Sequence, residues 1–133
     1  MLMSNQLRRL AFVAMPFAER FDELYRHGIG SAADDVNLEL IRLARLPIDC
    51  IVRQMAAEIG RSDLIIAVTT DRSPHVFFEI ALAYATRKPC IVMAEQEADF
   101  EIFREEYPCL IYDSDMMRLR LRLRDEFVRL MGQ

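Results

Sequence analysis

Glu79 is the residue whose surroundings demand an explanation. It sits in the run Val76, Phe77, Phe78, Glu79, Ile80, Ala81, Leu82, Ala83, Tyr84, Ala85. A helix that is apolar on nearly every side is a buried helix. A carboxylate inside it must be hydrogen-bonded, neutral or used. Two readings stay open: a structural Glu held by a backbone amide or an Arg, or a catalytic carboxylate above the C-terminal ends of a parallel sheet, where open α/β folds bind ligands. His75 lies one helical turn earlier and shares that face. It is either a proton or phosphate donor or a side chain that satisfies the helix start. Thr70, Asp71, Arg72 and Ser73 lead into the same helix. Asp71 reads as an acid at the strand end or as an Asx-type turn residue. Arg72 is a candidate phosphate ligand.

Positioning these groups is the work of one βαβ unit. Leu64–Thr70 is a short apolar run rich in Ile and Val, which predicts a buried strand. Ser73 is suited to cap the next helix and Pro74 to its first position. Lys88-Pro89 ends that helix, and Cys90–Ala94 is a second buried strand. Its crossover is expected to be right-handed.

Before this unit, Leu10–Met15 reads as a central strand buried on both sides. Met15, Pro16 and Phe17 follow at its C-terminal end and are candidate pocket walls. No Gly-rich loop follows, so neither a dinucleotide fingerprint nor a P-loop is present. A helix is predicted over 18–36, with Phe21, Leu24, Tyr25, Ile29 and Ala32 inward and Gly28 and Gly30 weakening its middle. His27 reads as a surface residue. Leu38–Leu43, interrupted by Glu39 and Arg42, predicts an edge strand. Asp49 is placed to cap a helix running to about Arg61 with Ile51, Val52, Met55, Ala56 and Ile59 inward; a ligand role for Asp49 stays open beside the capping one.

After the unit, the acidic stretch Glu95–Glu101 reads as a loop and Cys109–Tyr112 as a fifth strand. A final helix, capped by Asp113, Ser114 or Asp115, runs to about Met131. Its segment MRLRLRLR has period two, but it lacks β-branched residues, and Leu and Arg are good helix formers. The Arg face is read as solvated and paired, Arg122 with Glu126 for example, over a phosphate- or RNA-binding reading.

The alternation predicts a flavodoxin-like, doubly wound α/β fold with a five-stranded parallel sheet in order 2-1-3-4-5 and helices on both faces. One domain is expected over 1–133, with a short leader at 1–9 and the C-terminal helix at 114–133. A chain of 133 residues, 53% of them hydrophobic, suits a single core. A net charge of −4 argues against nucleic acid as a partner. Cys50, Cys90 and Cys109 form no metal or CxxC spacing, so free thiols in a reducing cytoplasm are expected. Neither a membrane span nor a secretory signal is visible, and no metal or cofactor is expected.

Three stretches resemble one family. FVAMPF at Phe12–Phe17, then Asp49, then DLIIAVTTDRSPHVFFEIALAYATRKPCIVM at Asp63–Met93 are similar to nucleoside 2-deoxyribosyltransferases and their TIR-like relatives, over roughly residues 10 to 113. The most specific part is Pro74–Glu79 followed by Lys88-Pro89. The resemblance implies that Glu79 is the nucleophile that attacks a sugar's anomeric carbon, with Asp71 and His75 as its candidate partners. The substrate site expected beside it takes in Met15, Pro16, Phe17, Tyr25, Asp49, Thr70, Arg72 and Ser73, with Tyr25 read as a packing residue before a ligand contact. It also implies that Phe100-Glu101-Ile102 reaches over the site. The family's strand-end Asp is Val68 here, with Asp71 the nearest replacement. Its Gly after the Glu is Ala81, its Asn near the turn is Ser73 or His75, and its Arg before Asp49 is Pro47, with Arg45 nearest.

The implied activity is cleavage or transfer at the N-glycosidic bond of a nucleoside, nucleotide or NAD-like compound. The alternative is a TIR-like module that senses a nucleotide or self-assembles in signalling without catalysis. The apolarity of the Glu79 helix points to a homo-oligomer under either reading.

Overall fold

The computed structural model describes residues 8–43 and 48–132, with the side chains of 48–51 outside that description. Five strands form one sheet: β1 (Arg9–Ala14), β2 (Leu38–Ile41), β3 (Leu64–Val68), β4 (Cys90–Ala94) and β5 (Cys109–Ile111). Their order is β2-β1-β3-β4-β5 and every pairing is parallel, as the alternation predicts. β3 and β4 are buried along their whole length, which explains why their sequences are unbroken apolar runs. β2 and β5 are the edges.

The sheet divides the core into two layers. On one face Ala11, Val13, Ile66, Val68 and Met93 pack against Phe21, Leu24, Ile29 and Ala32, and against Leu119, Leu123 and Phe127 of α4 (Met116–Met131). On the other face Phe12, Ala14, Ile65, Ala67 and Val92 pack against Ile59 of α2 (Ile48–Arg61) and Val76, Ile80 and Ala83 of α3 (Pro74–Ala85). The alternation of β1 residues between the two lists is the period-two pleat.

The first helical segment differs from the single helix expected. It is a 3₁₀ turn at Glu19–Phe21, a π-helical stretch at Leu24–Gly30 and then α1 (Ser31–Asp35). Its two glycines fall within the wide stretch. A Cβ built on Gly28 would meet Leu119 Cδ2 at 2.8 Å and Met116 Sδ at 3.2 Å, so α4 packs directly on this backbone. On α2, Met55 and Ile59 are buried as expected, but Val52 and Ala56 are exposed. α4 is capped at its start by Asp115, whose carboxylate accepts from the Arg118 amide, and at its end by Gly132 in the left-handed region. Among the described residues no helix is long and apolar enough to cross a membrane.

Candidate functional site

The site is built where β1, β2 and α3 meet. From β1 the chain leaves to β2 on one side and to β3 on the other, so the C-terminal end of β1 is the topological switch point of the sheet. Met15, Pro16 and Phe17 follow β1; Arg42 and Leu43 follow β2; His75 and Glu79 come from the first turns of α3. Phe12, Val13, Met15, Phe17, Arg42, Leu43, His75 and Glu79 line one recess. Its free space is about 10 Å³, room for about one water.

Glu79 is 3% exposed, and its Oε1 has no hydrogen-bond partner among the described residues. Burial pushes its carboxyl up to about 8, so the acid is mostly protonated at neutral pH in the closed recess. The structural reading of a Glu satisfied by nearby donors therefore finds no support at Oε1.

His75 is held at both nitrogens. Nε2 lies 3.1 Å from the Met15 carbonyl and Nδ1 lies 2.8 Å from Ser73 Oγ. A carbonyl only accepts, so in the neutral ring Nε2 carries the proton and Nδ1 accepts from the Ser73 hydroxyl. The ring also stacks on Phe17, with centroids 4.7 Å apart and planes 10° from parallel. Ser73 precedes α3 as expected, but its hydroxyl is turned to His75 and caps no helix amide.

The remaining expected residues do not line this recess. Thr70 is buried, and its hydroxyl is 2.8 Å from that of Tyr112. Asp71 and Arg72 both have left-handed backbones, with φ of 68° and 53°. The Asp71 carboxylate pairs with Arg20, and Arg72 Nε donates to Asp99 Oδ1 at 3.1 Å. Thr70, Asp71, Arg72, Glu95, Gln96 and Asp99 line a second, shallower recess of about 290 Å³ beyond β3 and β4. Val68, where the resembled family has an acid, is fully buried on the sheet face opposite α3. Tyr25 packs against that same opposite layer and lies under the Arg42 guanidinium, 4.9 Å from ring centroid to Cζ. Asp49 falls inside the first turn of α2 rather than before it, and its side chain lies outside the described residues. So do Arg45 and Pro47. Phe100, within the β4–β5 loop, is buried in the same core layer as α3, while Ile102 is 73% exposed.

Arg42 is the recess residue that sequence reasoning passed over. It was read as a polar interruption of an edge strand, yet β2 ends at Ile41 and Arg42 turns to the recess. Its Nη2 donates to the Pro16 carbonyl at 3.2 Å and its Nη1 is 3.8 Å from Asp22 Oδ1. The available signal was position: a cation at the C-terminal end of a parallel strand stands at the ligand edge. The arginines of α4 are, by contrast, paired within the chain. Arg118 meets Asp113 and Asp115, Arg120 and Arg124 meet Asp35, and Arg129 meets Glu126. Arg122 donates to the Ile111 carbonyl rather than to Glu126.

No protein-family model and no curated protein sequence matches the chain. Solved structures do. A 2-desoxiribosyltransferase from Leishmania mexicana superposes with a TM-score of 0.55 and 16% identity, over 66% of this chain and 65% of that one. The CMP N-glycosidase of Clostridium botulinum gives 0.62 and 18%, over 86% and 98%. A de novo designed Rossmann 2x3 protein gives 0.59 and 13%, over 96% and 94%. A designed chain matches about as well as two enzymes, so the likeness is one of architecture. What this chain shares with all three is the doubly wound α/β fold.

Proposed function

We propose that the chain cleaves or exchanges the N-glycosidic bond of a nucleoside, nucleotide or NAD-like compound, with Glu79 as the nucleophile. The observation that carries this reading is a buried carboxyl with an unpartnered oxygen at the switch point of the sheet, beside His75. Two of the structural neighbours are named for such chemistry. In the first step a Glu79 oxygen bonds to the anomeric carbon as the carbon–nitrogen bond breaks, and the electron pair leaves with the base, which takes up a proton. In the second step water or another base attacks the same carbon and releases Glu79, giving net retention. Only the ionised acid can attack. The cationic character of the sugar in the transition state favours that form, against the burial that opposes it.

His75, within the same recess, is the proposed donor to the leaving base; to serve, it gives up its bond to Met15. Asp71, on the neighbouring shelf with Thr70 and Arg72, is the second candidate for a base or sugar hydroxyl that reaches across. Met15, Pro16 and Phe17 form the wall. We also read the exposed Phe78 and Tyr84 of α3 as the seat of a second copy, which sedimentation velocity tests.

The deciding experiment is chromatography of products from a panel of nucleosides, deoxynucleotides and NAD, run beside Glu79→Gln. Free base from the wild type and none from the variant supports the reading. A folded wild type that releases no base from any of them sinks it for that panel. A second reading, a nucleotide-binding module without catalysis, is favoured by Val68 in place of an acid and by a recess closed to about one water. It predicts thermal stabilisation by a nucleotide without turnover.

A further inference from the structure

Two adjacent carbonyls of one short turn are gripped by side chains from two different elements. Met15 O receives the Nε2 proton of His75 from α3, at 3.1 Å, and Pro16 O receives an Nη2 proton of Arg42 from the end of β2, at 3.2 Å. The turn, residues 15–18, belongs to no helix or strand. The turn borders the recess that holds Glu79: Met15 and Phe17 both line it, Met15 is 2% exposed with its side chain in the core layer opposite α3, and Phe17 lies flat on His75. Arg42 is itself fixed by the Tyr25 ring below it and by Asp22. Space for about one water is far too little for a sugar.

We propose that Arg42 is a positioning residue which, together with His75, latches the Met15–Phe17 turn shut over Glu79, so that ligand enters only when a latch is released. β1 below the turn is pinned on both sides by the sheet, and α3, which carries Glu79, is packed on the sheet through Val76, Ile80 and Ala83. The turn is therefore the cover that moves at the least cost in core packing. The reading deepens the glycosidic proposal, since it concerns access to the same carboxyl, but its test needs no substrate and so fails or succeeds separately.

Glu79→Cys puts a thiol beneath the turn. Its alkylation by iodoacetamide, followed for each cysteine by peptide mass spectrometry, reports opening there. Cys90, fully buried in β4 within the same layer, reports global unfolding. Adding Arg42→Met is expected to speed labelling at position 79 about tenfold, the population change from losing one hydrogen bond to a charged group, with Cys90 unchanged. His75→Phe, which keeps a ring stacked on Phe17, is expected to act the same way, and it carries the test if Arg42→Met does not fold. Labelling at position 79 that is indifferent to both latches, or that rises only in step with Cys90, overturns the proposal.

Discussion

Gly28 lies against Leu119 so closely that a single added methyl would stand 2.8 Å from Leu119 Cδ2. Leu119 is 2% exposed and sits in the core, where close packing resists a shift of its side chain. Gly28→Ala is therefore expected to lower stability by about 1–3 kcal/mol despite its gain in helix propensity. In the Leu119→Ala background the same substitution should cost much less, because the clash has gone. Gly60, on α2, has nothing within 4 Å of an added Cβ. Gly60→Ala should raise stability by about 0.5–1 kcal/mol. Urea unfolding of the four variants checks all of this.

Burial of Glu79 makes folding itself pH-dependent. Its folded value of about 8 lies above the ordinary 4.5, so the folded state holds the proton more tightly. This group therefore adds no penalty below about pH 4.5, and an increasing one as pH rises to about 8. Glu79→Gln removes the titration. The variant should gain on the wild type across that window by on the order of a few kcal/mol, then run parallel above it. Thermal unfolding at a series of pH values measures the gap. A gap that stays constant from pH 4.5 to 8 would refute the assignment.

Thr70 and Tyr112 hold each other's hydroxyl at 2.8 Å, with Thr70 3% exposed. Tyr112→Phe leaves the Thr70 hydroxyl buried and unsatisfied, at a cost of about 1–3 kcal/mol. Adding Thr70→Val removes the orphan, and the double variant should recover much of that loss. A double-mutant cycle by chemical denaturation gives the coupling directly.

Asp35 accepts a two-pronged grip from Arg120, with Nε at 2.8 Å and Nη2 at 2.7 Å. That hydrogen bonding holds the Asp35 carboxyl below its usual 3.8. Such a group stabilises the fold above the unfolded value and stops doing so as pH falls through the folded one. Asp35→Asn should thus be less stable than the wild type at pH 7, and the difference should shrink once pH drops below 3.8. Urea midpoints at pH 7, 4 and 2.5 test the trend.

The frame was legible because it is written in long apolar runs and their punctuation. β4 falls on Cys90–Ala94 as read, and Lys88-Pro89 introduces it. The MRLRLRLR run is helical, since Leu119 and Leu123 reach the core while Leu121 stays exposed. The burial of Glu79 followed from its neighbours alone.

Where the reading failed, the deciding contact was distant in sequence. Gly28 and Leu119 together explain the close packing at the π-helical stretch, and neither announces the other. Nothing near Tyr25 or Thr70 in the sequence names their neighbours either: Arg42 lies over the first and Tyr112 bonds the second. Arg122 prefers a β5 carbonyl to the Glu one turn along its own helix. A local pattern specifies which face a side chain occupies, and tertiary neighbours then choose its partner.

The central place of β1 also bears on how the protein is made. Ala11 pairs with Leu64, so the middle of the sheet cannot close until roughly fifty further residues have left the ribosome. Until then an unbroken apolar strand waits beside β2 alone, with one hydrogen-bonding edge bare. The nascent chain is thus most vulnerable to aggregation and most in need of a chaperone while β3 is still being synthesised.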